Sequence, residues 1–211
     1  MTQPTMTQDK ILLLVDDEGM GSHLTRWLAA EKDAPYQCHS IPPGQRKLLL
    51  KATPYGEVPV LVHRGTSLYT PRVIAEYLQE LIPLPALLPT DIAERNRQRQ
   101  LFVDLLERVF PAIERCAREP REVNGSKGYK EIRQLLTASL SDWLTAGQLL
   151  EHNTLSLVDL AFGVILTRQH AFEFNLSRCH PQGVRYWEAL KSRPAFTAGL
   201  SEQESDWLMV A

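Results

Sequence analysis

Thr53-Pro54-Tyr55-Gly56-Glu57-Val58-Pro59-Val60-Leu61-Val62 sets a turn against a short apolar run that carries a proline among its first residues. Proline has no backbone N–H, so a central ladder would be short of one donor at Pro59. The stretch is therefore expected to be a strand at a sheet edge, or one that is irregular where the proline falls. Downstream, Arg64-Gly65-Thr66-Ser67 reads as a hairpin turn into Leu68-Tyr69. Thr70-Pro71 then reads as N-cap and first-turn proline of a helix through Val73, Ile74, Tyr77 and Leu78. Upstream, Ile11-Leu12-Leu13-Leu14-Val15 is a continuous apolar run, the form taken by a strand buried on both faces. The acidic turn Asp16 to Gly21 ends it, and Ser22 is placed to cap a helix bearing Leu24, Trp27 and Leu28. Tyr36 to Ile41 is a weaker strand, and Gly44 to Lys51 a short helix expected to pack Leu48, Leu49 and Leu50 inward. The order over residues 10–80 is β-α-β-α-β-β-α.

Residues 1–9 are polar and repetitive and are expected to form a disordered tail. Pro83, Pro85 and Pro89 interrupt helix and ladder alike, which makes 81–91 a semi-rigid linker and a domain boundary. Beyond it the period changes to that of helices. Leu101, Phe102, Leu105, Leu106, Val109, Phe110 and Ile113 mark a sustained stripe over Ile92 to Arg118. A loop over Glu119 to Gly128 leads to a second stripe from Tyr129 to Leu150. Ser156-Leu157-Val158-Asp159 has the form of a capping box ahead of the very apolar Leu160 to Leu166, and Ser201-Glu202-Gln203-Glu204 of another near the end. Residues 92–211 thus read as an all-helical domain.

Composition narrows the function classes. With 211 residues, 44% hydrophobic and 23% charged, the chain can bury a core and is not of the disordered kind. A net charge of −2 supplies no field to steer it toward nucleic acid or an anionic bilayer, so direct nucleic-acid or membrane binding is not expected. Cys38, Cys116 and Cys179 are odd in number and far apart, which suits a reducing, cytoplasmic compartment and excludes a zinc spacing. They read as small apolar packing residues, with Cys179 beside Arg178 and His180 the one pair suited to a reactive thiol. His23, His63, His152 and His170 lack metal spacing and read as surface or cap residues, so no metal or cofactor is expected. Arg95, Arg97 and Arg99, interleaved with Glu94 and Asp104, read as a solvated helix face first and a protein-binding patch second.

The small β-α-β-α-β-β-α unit, its early strand proline, the proline-rich linker and the helical second half together resemble the glutathione S-transferase superfamily. The residues that carry the likeness are Pro54-x-Gly56-x-Val58-Pro59-x-Leu61, the run from Leu68 to Tyr77-Leu78, and Leu155-Ser156-Leu157-Val158-Asp159. The resemblance implies a thioredoxin-like N-terminal domain before an all-α domain, and a cis bond ahead of Pro59 that presents the backbone of Val58 to glutathione. Within the superfamily the chain is similar to the stringent starvation protein A family. The likeness rests on Glu76-Tyr77-Leu78-Gln79-Glu80-Leu81-Ile82-Pro83-Leu84-Pro85-Ala86-Leu87-Leu88-Pro89, on Ser22-His23 with Ala30-Glu31-Lys32, and on Ala195-Phe196 with Leu200-Ser201. That family implies dimers, homomeric or formed with a paralogue, that bind bacterial RNA polymerase or its sigma subunit. It also implies an exposed recognition surface at Pro83, Leu84 and Pro85, where Leu84 stands in place of the family's histidine.

Transferase chemistry is not expected to survive. The superfamily needs a Tyr, Ser or Cys at the start of the first helix, where amides help hold a thiolate. The counterpart here is Asp16-Asp17-Glu18-Gly19-Met20, whose carboxylates raise the cost of a nearby thiolate, and the only hydroxyl close by is that of Ser22. An acidic residue followed by serine should hold the γ-glutamyl end, but the pair is Thr70-Pro71. Val58, Pro59, Thr70 and Pro71 are therefore read as a vestigial glutathione cleft, and no catalytic residue is assigned. Two readings stay open for the linker: a stiff docking segment presenting Leu84, or a spacer whose prolines only stop the helix. A diverged glutathione-dependent transferase or isomerase is the alternative function.

Overall fold

The computed structural model describes residues 10–118, 127–146, 149, 154–169 and 174–210. The tail 1–9, most of the loop expected over 119–128, His152 and His170 lie outside the described residues, as does the side chain of Cys116.

The first unit runs β1 (Ile11–Val15), α1 (Met20–Glu31), β2 (Tyr36–Ser40), a 3-10 segment (Pro43–Lys51), β3 (Val60–His63), β4 (Thr66–Leu68) and α2 (Pro71–Leu81). The four strands form one sheet in the order β2-β1-β3-β4, with β1 parallel to β2 and antiparallel to β3. β1 is internal, yet only one of its faces is sealed. Ile11, Leu13 and Val15 are buried while Leu12 and Leu14 are half-buried, so the expectation of burial on both faces holds for one.

β3 is internal as well, flanked by β1 and β4, which corrects the expectation of an edge. The ladder partners of β3 begin at Val60, opposite Leu14. Pro59, joined to Val58 by a cis bond, stands before that first rung, so its missing N–H is never asked for. The hairpin turns on Arg64 and Gly65, at φ 50 and 78, the left-handed pair that a two-residue connection between twisted strands requires. A second correction falls on Leu48, Leu49 and Leu50. Three adjacent residues cannot share one face of a segment with three residues per turn, and only Leu49 is buried.

The second unit is helical: α3 (Ile92–Asp104), a π-helical turn (Leu105–Val109), α4 (Phe110–Arg118), α5 (Lys127–Ala146), α6 (Leu157–Thr167), the single turn α7 (Leu176–Cys179), α8 (Gly183–Lys191), α9 (Pro194–Gly199) and α10 (Glu202–Val210). The long stripe expected over Ile92 to Arg118 is thus one helical run whose phase is reset by the π turn. Every residue of α6 is buried, which makes it the centre of the helical unit.

The two units share one core, and α1 lies in the middle of it, packed against α2, α6 and α9. Trp27 of α1 meets Phe196 of α9 edge to face at 4.9 Å between ring centres. A thioredoxin-like α/β unit is thereby fused to an all-α unit through one shared helix.

Candidate functional site

The start of α1 is built differently from the sequence expectation. Its N-cap is Gly19, not Ser22. The Asp16 carboxylate accepts the Gly19 N–H at 2.9 Å and so takes the capping role from upstream. Ser22 is already inside the helix, 1% exposed, and its Oγ accepts the backbone N–H of Asp16 at 3.1 Å. The next amide, that of Met20, donates to Glu114 Oε1 of α4 at 2.9 Å. Two carboxylates of the chain itself therefore occupy the first donors of this helix, where the dipole would favour an external anion.

Pro59 and Pro71 close on the same helix start. A Cβ added at Gly21 would stand 2.8 Å from Pro71 Cγ and 3.2 Å from Pro59 Cδ, so only glycine permits the approach. Val58, Pro59, Thr70 and Pro71 are thus gathered around the first turn of α1. Val58 is half-buried and Pro59 buried, whereas Thr70 is exposed and its hydroxyl caps nothing although it occupies the N-cap position of α2.

Behind this helix start lies a charged cluster that sequence reasoning missed. Arg26 on α1 and Arg168 at the end of α6 both donate to Glu204 of α10, at 2.7 Å and 2.6 Å. Arg26 also holds the carbonyls of Asp16 and Gly199, and Arg168 those of Glu18 and Val164. Ser201 Oγ donates to the carbonyl of Asp17 at 2.6 Å. The acidic turn Asp16 to Glu18 thus contributes its backbone as a clasp between the two units. Burial pushes the Glu204 carboxyl upward, but the cations that face it, with Arg168 and Arg26 permanently charged, outweigh this and hold it below the ordinary carboxylate range.

His23 completes the cluster, and its placement corrects the surface reading. The ring is wholly buried, and its Nδ1 lies 3.1 Å from Arg168 Nη1. The same Nδ1 lies 3.4 Å from Glu204 Oε1, while Nε2 is buried without a hydrogen-bond partner. Burial, with the two arginines adding to it against Glu204, lowers its pKa to about 3. His63 is buried too, with Nδ1 2.6 Å from the Tyr77 hydroxyl, tying β3 to α2.

The linker leaves the far end of α2, about 16 Å from Thr70 along an 11-residue helix. The two candidate surfaces are therefore separate. Pro83, Leu84, Pro85 and Ala86 are exposed, Leu84 to 76%, while Leu87 is buried and its carbonyl accepts the N–H of Leu157 at the head of α6. Lys32, the C-cap of α1, is 2% exposed. Its Nζ donates to Gln79 Oε1 at 2.6 Å, to the Ile82 carbonyl at 2.9 Å and to the Pro85 carbonyl at 2.6 Å. Burial pulls its pKa below the usual lysine value.

The other sequence candidates lie elsewhere. Cys179 donates to the Leu176 carbonyl, and burial pushes its thiol up rather than toward a thiolate. Cys38 is exposed, not packed as a small apolar residue. Arg97 pairs with Glu94 on the solvated face of α3, while Arg95 turns back to the carbonyls of Pro89 and Thr90 and so ties down the end of the linker. Ser156 and Asp159 form the expected capping box, but Asp159 does more. It also accepts from Trp143 Nε1 at 2.7 Å and from the Tyr186 hydroxyl at 2.9 Å, fully buried among α5, α6 and α8. Among the described residues no group of three or more His, Cys, Asp or Glu side chains is arranged to hold a metal, and no helix is long and apolar enough to cross a membrane.

Residues 22–86 match the model of the family described as glutathione S-transferase, N-terminal domain. The chain is similar to a stringent starvation protein A homolog of Coxiella burnetii, 30% identical over 190 residues that cover 88% of each chain. It is also similar to a stringent starvation protein A homolog of Haemophilus ducreyi, 25% identical over 211 residues that cover 99% of this chain and 98% of the other. Among solved structures, Ure2p in complex with S-hexylglutathione superposes with a TM-score of 0.77 at 15% identity, over 94% of this chain and all of that one, which speaks for the fold.

Proposed function

This chain belongs to the stringent starvation protein A family within the glutathione S-transferase superfamily, and on that premise we propose that it is a non-enzymatic transcription regulator. It acts as a dimer, of two copies or with a paralogue, that docks on bacterial RNA polymerase or its sigma subunit through Pro83, Leu84 and Pro85. The observation that carries the non-enzymatic part is the state of the α1 start. The Gly19 amide is engaged by Asp16 and the Met20 amide by Glu114, and the nearest hydroxyl, Ser22, is buried and committed to a backbone N–H. A thiolate brought to the first two amides would meet the carboxylates of Asp16 and Glu114, which opposes its ionisation. At the second position Thr70-Pro71 offers neither a carboxylate nor, at Pro71, an N–H to a γ-glutamyl group.

The test pairs turnover with capture. Glutathione and a model dinitrophenyl electrophile are expected to give no conversion above the uncatalysed rate, while purified polymerase from the host is retained by the immobilised chain. Thiol transfer that vanished in Ser22→Ala would sink the proposal.

A second reading is a diverged glutathione-dependent transferase or isomerase. Its support is the cis bond at Val58-Pro59 beside the α1 start, together with the S-hexylglutathione held by Ure2p, which has the same fold. Calorimetric titration separates the two. A glutathione affinity tighter than about 0.1 mM, roughly −5.5 kcal/mol, favours the enzyme.

A further inference from the structure

We propose that Lys32 is the positioning residue for the docking surface: its single ammonium joins both feet of the Pro83–Leu84–Pro85 arch and presents Leu84 as a preformed knob for an apolar socket on a protein partner. The inference rests on the docking reading above and adds the residue that gives the surface its shape.

The geometry is a staple. The Ile82 carbonyl comes just before the tripeptide and the Pro85 carbonyl closes it, and both accept from the same Nζ, at 2.9 Å and 2.6 Å. The two oxygens can be no further apart than the sum of those distances, so three residues must loop outward between them. An ammonium has three protons, and the third goes to Gln79 Oε1 at 2.6 Å. Gln79 presents its oxygen although its own Nε2 is then buried without a partner, so the amide is oriented by the lysine and not by its other surroundings. Among the described residues no carboxylate pairs with Lys32; the cation is met by neutral carbonyl oxygens at the C-terminal end of α2 and in the arch, and a helix C-terminus favours positive charge.

The arch is also stiff in itself. Pro83 and Pro85 each have a fixed φ, and Leu87 is buried in the core a residue beyond the exposed Ala86. Leu84 is left with 76% exposure at the crest, an apolar side chain whose backbone is already ordered. A partner that takes it loses little conformational freedom on binding. The crest carries no charge, so its complement is an apolar socket and not an acidic or phosphorylated segment.

Three variants test this against purified polymerase. Leu84→Asp probes the surface; Lys32→Met removes the staple while keeping the apolar stem; Lys32→Arg keeps a charge and donors but not a single point of convergence. Lys32→Met is expected to weaken capture about tenfold, the cost of reordering roughly one residue on binding, with Lys32→Arg in between. In the free protein, hydrogen exchange at the Ile82 amide, which donates to the Leu78 carbonyl at 3.0 Å at the foot of the arch, should quicken in Lys32→Met while the amides of β1 and α6 keep their protection. If Leu84→Asp abolishes capture and Lys32→Met leaves both capture and exchange as they were, Lys32 has no positioning role and the docking reading stands without it. Capture indifferent to Leu84→Asp overturns both. Protection lost throughout the first unit in both lysine variants makes Lys32 a general stability element and overturns the proposal.

Discussion

Replacing Glu204 by alanine removes the carboxylate to which Arg26 and Arg168 both donate. All three side chains are buried, Glu204 fully and the arginines to within 6% and 5% exposure. Breaking a buried ion pair by deleting one partner typically costs about 3–5 kcal/mol, because the remaining charge stays buried without compensation. Here two charges are left, but each guanidinium keeps two backbone carbonyls, which argues for that range and not its double. For a chain of this length about 3–5 kcal/mol corresponds to a fall of roughly 6–20 °C in Tm. Glu204 also accepts the Ser201 N–H as part of a capping box, so Ser201→Ala is the control, expected to cost about 1–2 kcal/mol for the cap and the hydroxyl's bond to the Asp17 carbonyl while leaving both arginines paired. The assay is urea unfolding followed by tryptophan fluorescence. The acid side gives an independent check. A carboxyl held below its unfolded pKa contributes stability that is present above that value and is lost as pH falls through the depressed one. The gap between wild type and Glu204→Gln should therefore hold at neutral pH and narrow progressively as pH falls below about 4.3. Should Glu204→Ala unfold within about 1 kcal/mol of wild type, the cluster does not hold the two units together and the reasoning fails.

Two more outcomes follow from buried groups. With a pKa of about 3 in the folded chain against about 6.5 unfolded, His23 takes up its proton on unfolding. Stability should fall by roughly 1.4 kcal/mol per pH unit as pH drops from about 6 toward 4, and His23→Gln should flatten that slope in a series of urea curves; an unchanged slope places the titration elsewhere. Asp159→Ala leaves Trp143 Nε1, the Tyr186 hydroxyl and the Ser156 N–H without their acceptor. At about 1–3 kcal/mol for each buried orphan, and with coupling among them, a loss of about 4 kcal/mol is expected; a loss under about 1 kcal/mol by chemical denaturation would show that water replaces the carboxylate freely.

Much of the scaffold could be read from neighbours along the chain. The hairpin at Arg64-Gly65, the capping boxes Ser156–Asp159 and Ser201–Glu204, and the helix opening at Pro71 each span a few residues, and their chemistry is complete within them. The order of elements in the first unit was legible for the same reason, since the change from strand to helix period is a local property. A local rule with two solutions does not decide a position by itself. Ser22 and Asp16 can each cap the start of α1, and the Asp16 carboxylate reaching forward to Gly19 decides between them.

What tertiary structure alone decided is which polar groups meet. Arg26 finds Glu204 across 178 positions and Met20 finds Glu114 across 94, and nothing in either neighbourhood announces the pairing. Lys32, read in sequence as part of Ala30-Glu31-Lys32, becomes a staple only because α1 ends beside the exit of α2. Periodicity tells which residues turn inward, and the cost of burying an unpaired charge guarantees that each buried one has partners. Their identity depends on how helices cross, a relation between distant segments that the pattern within any one of them does not contain.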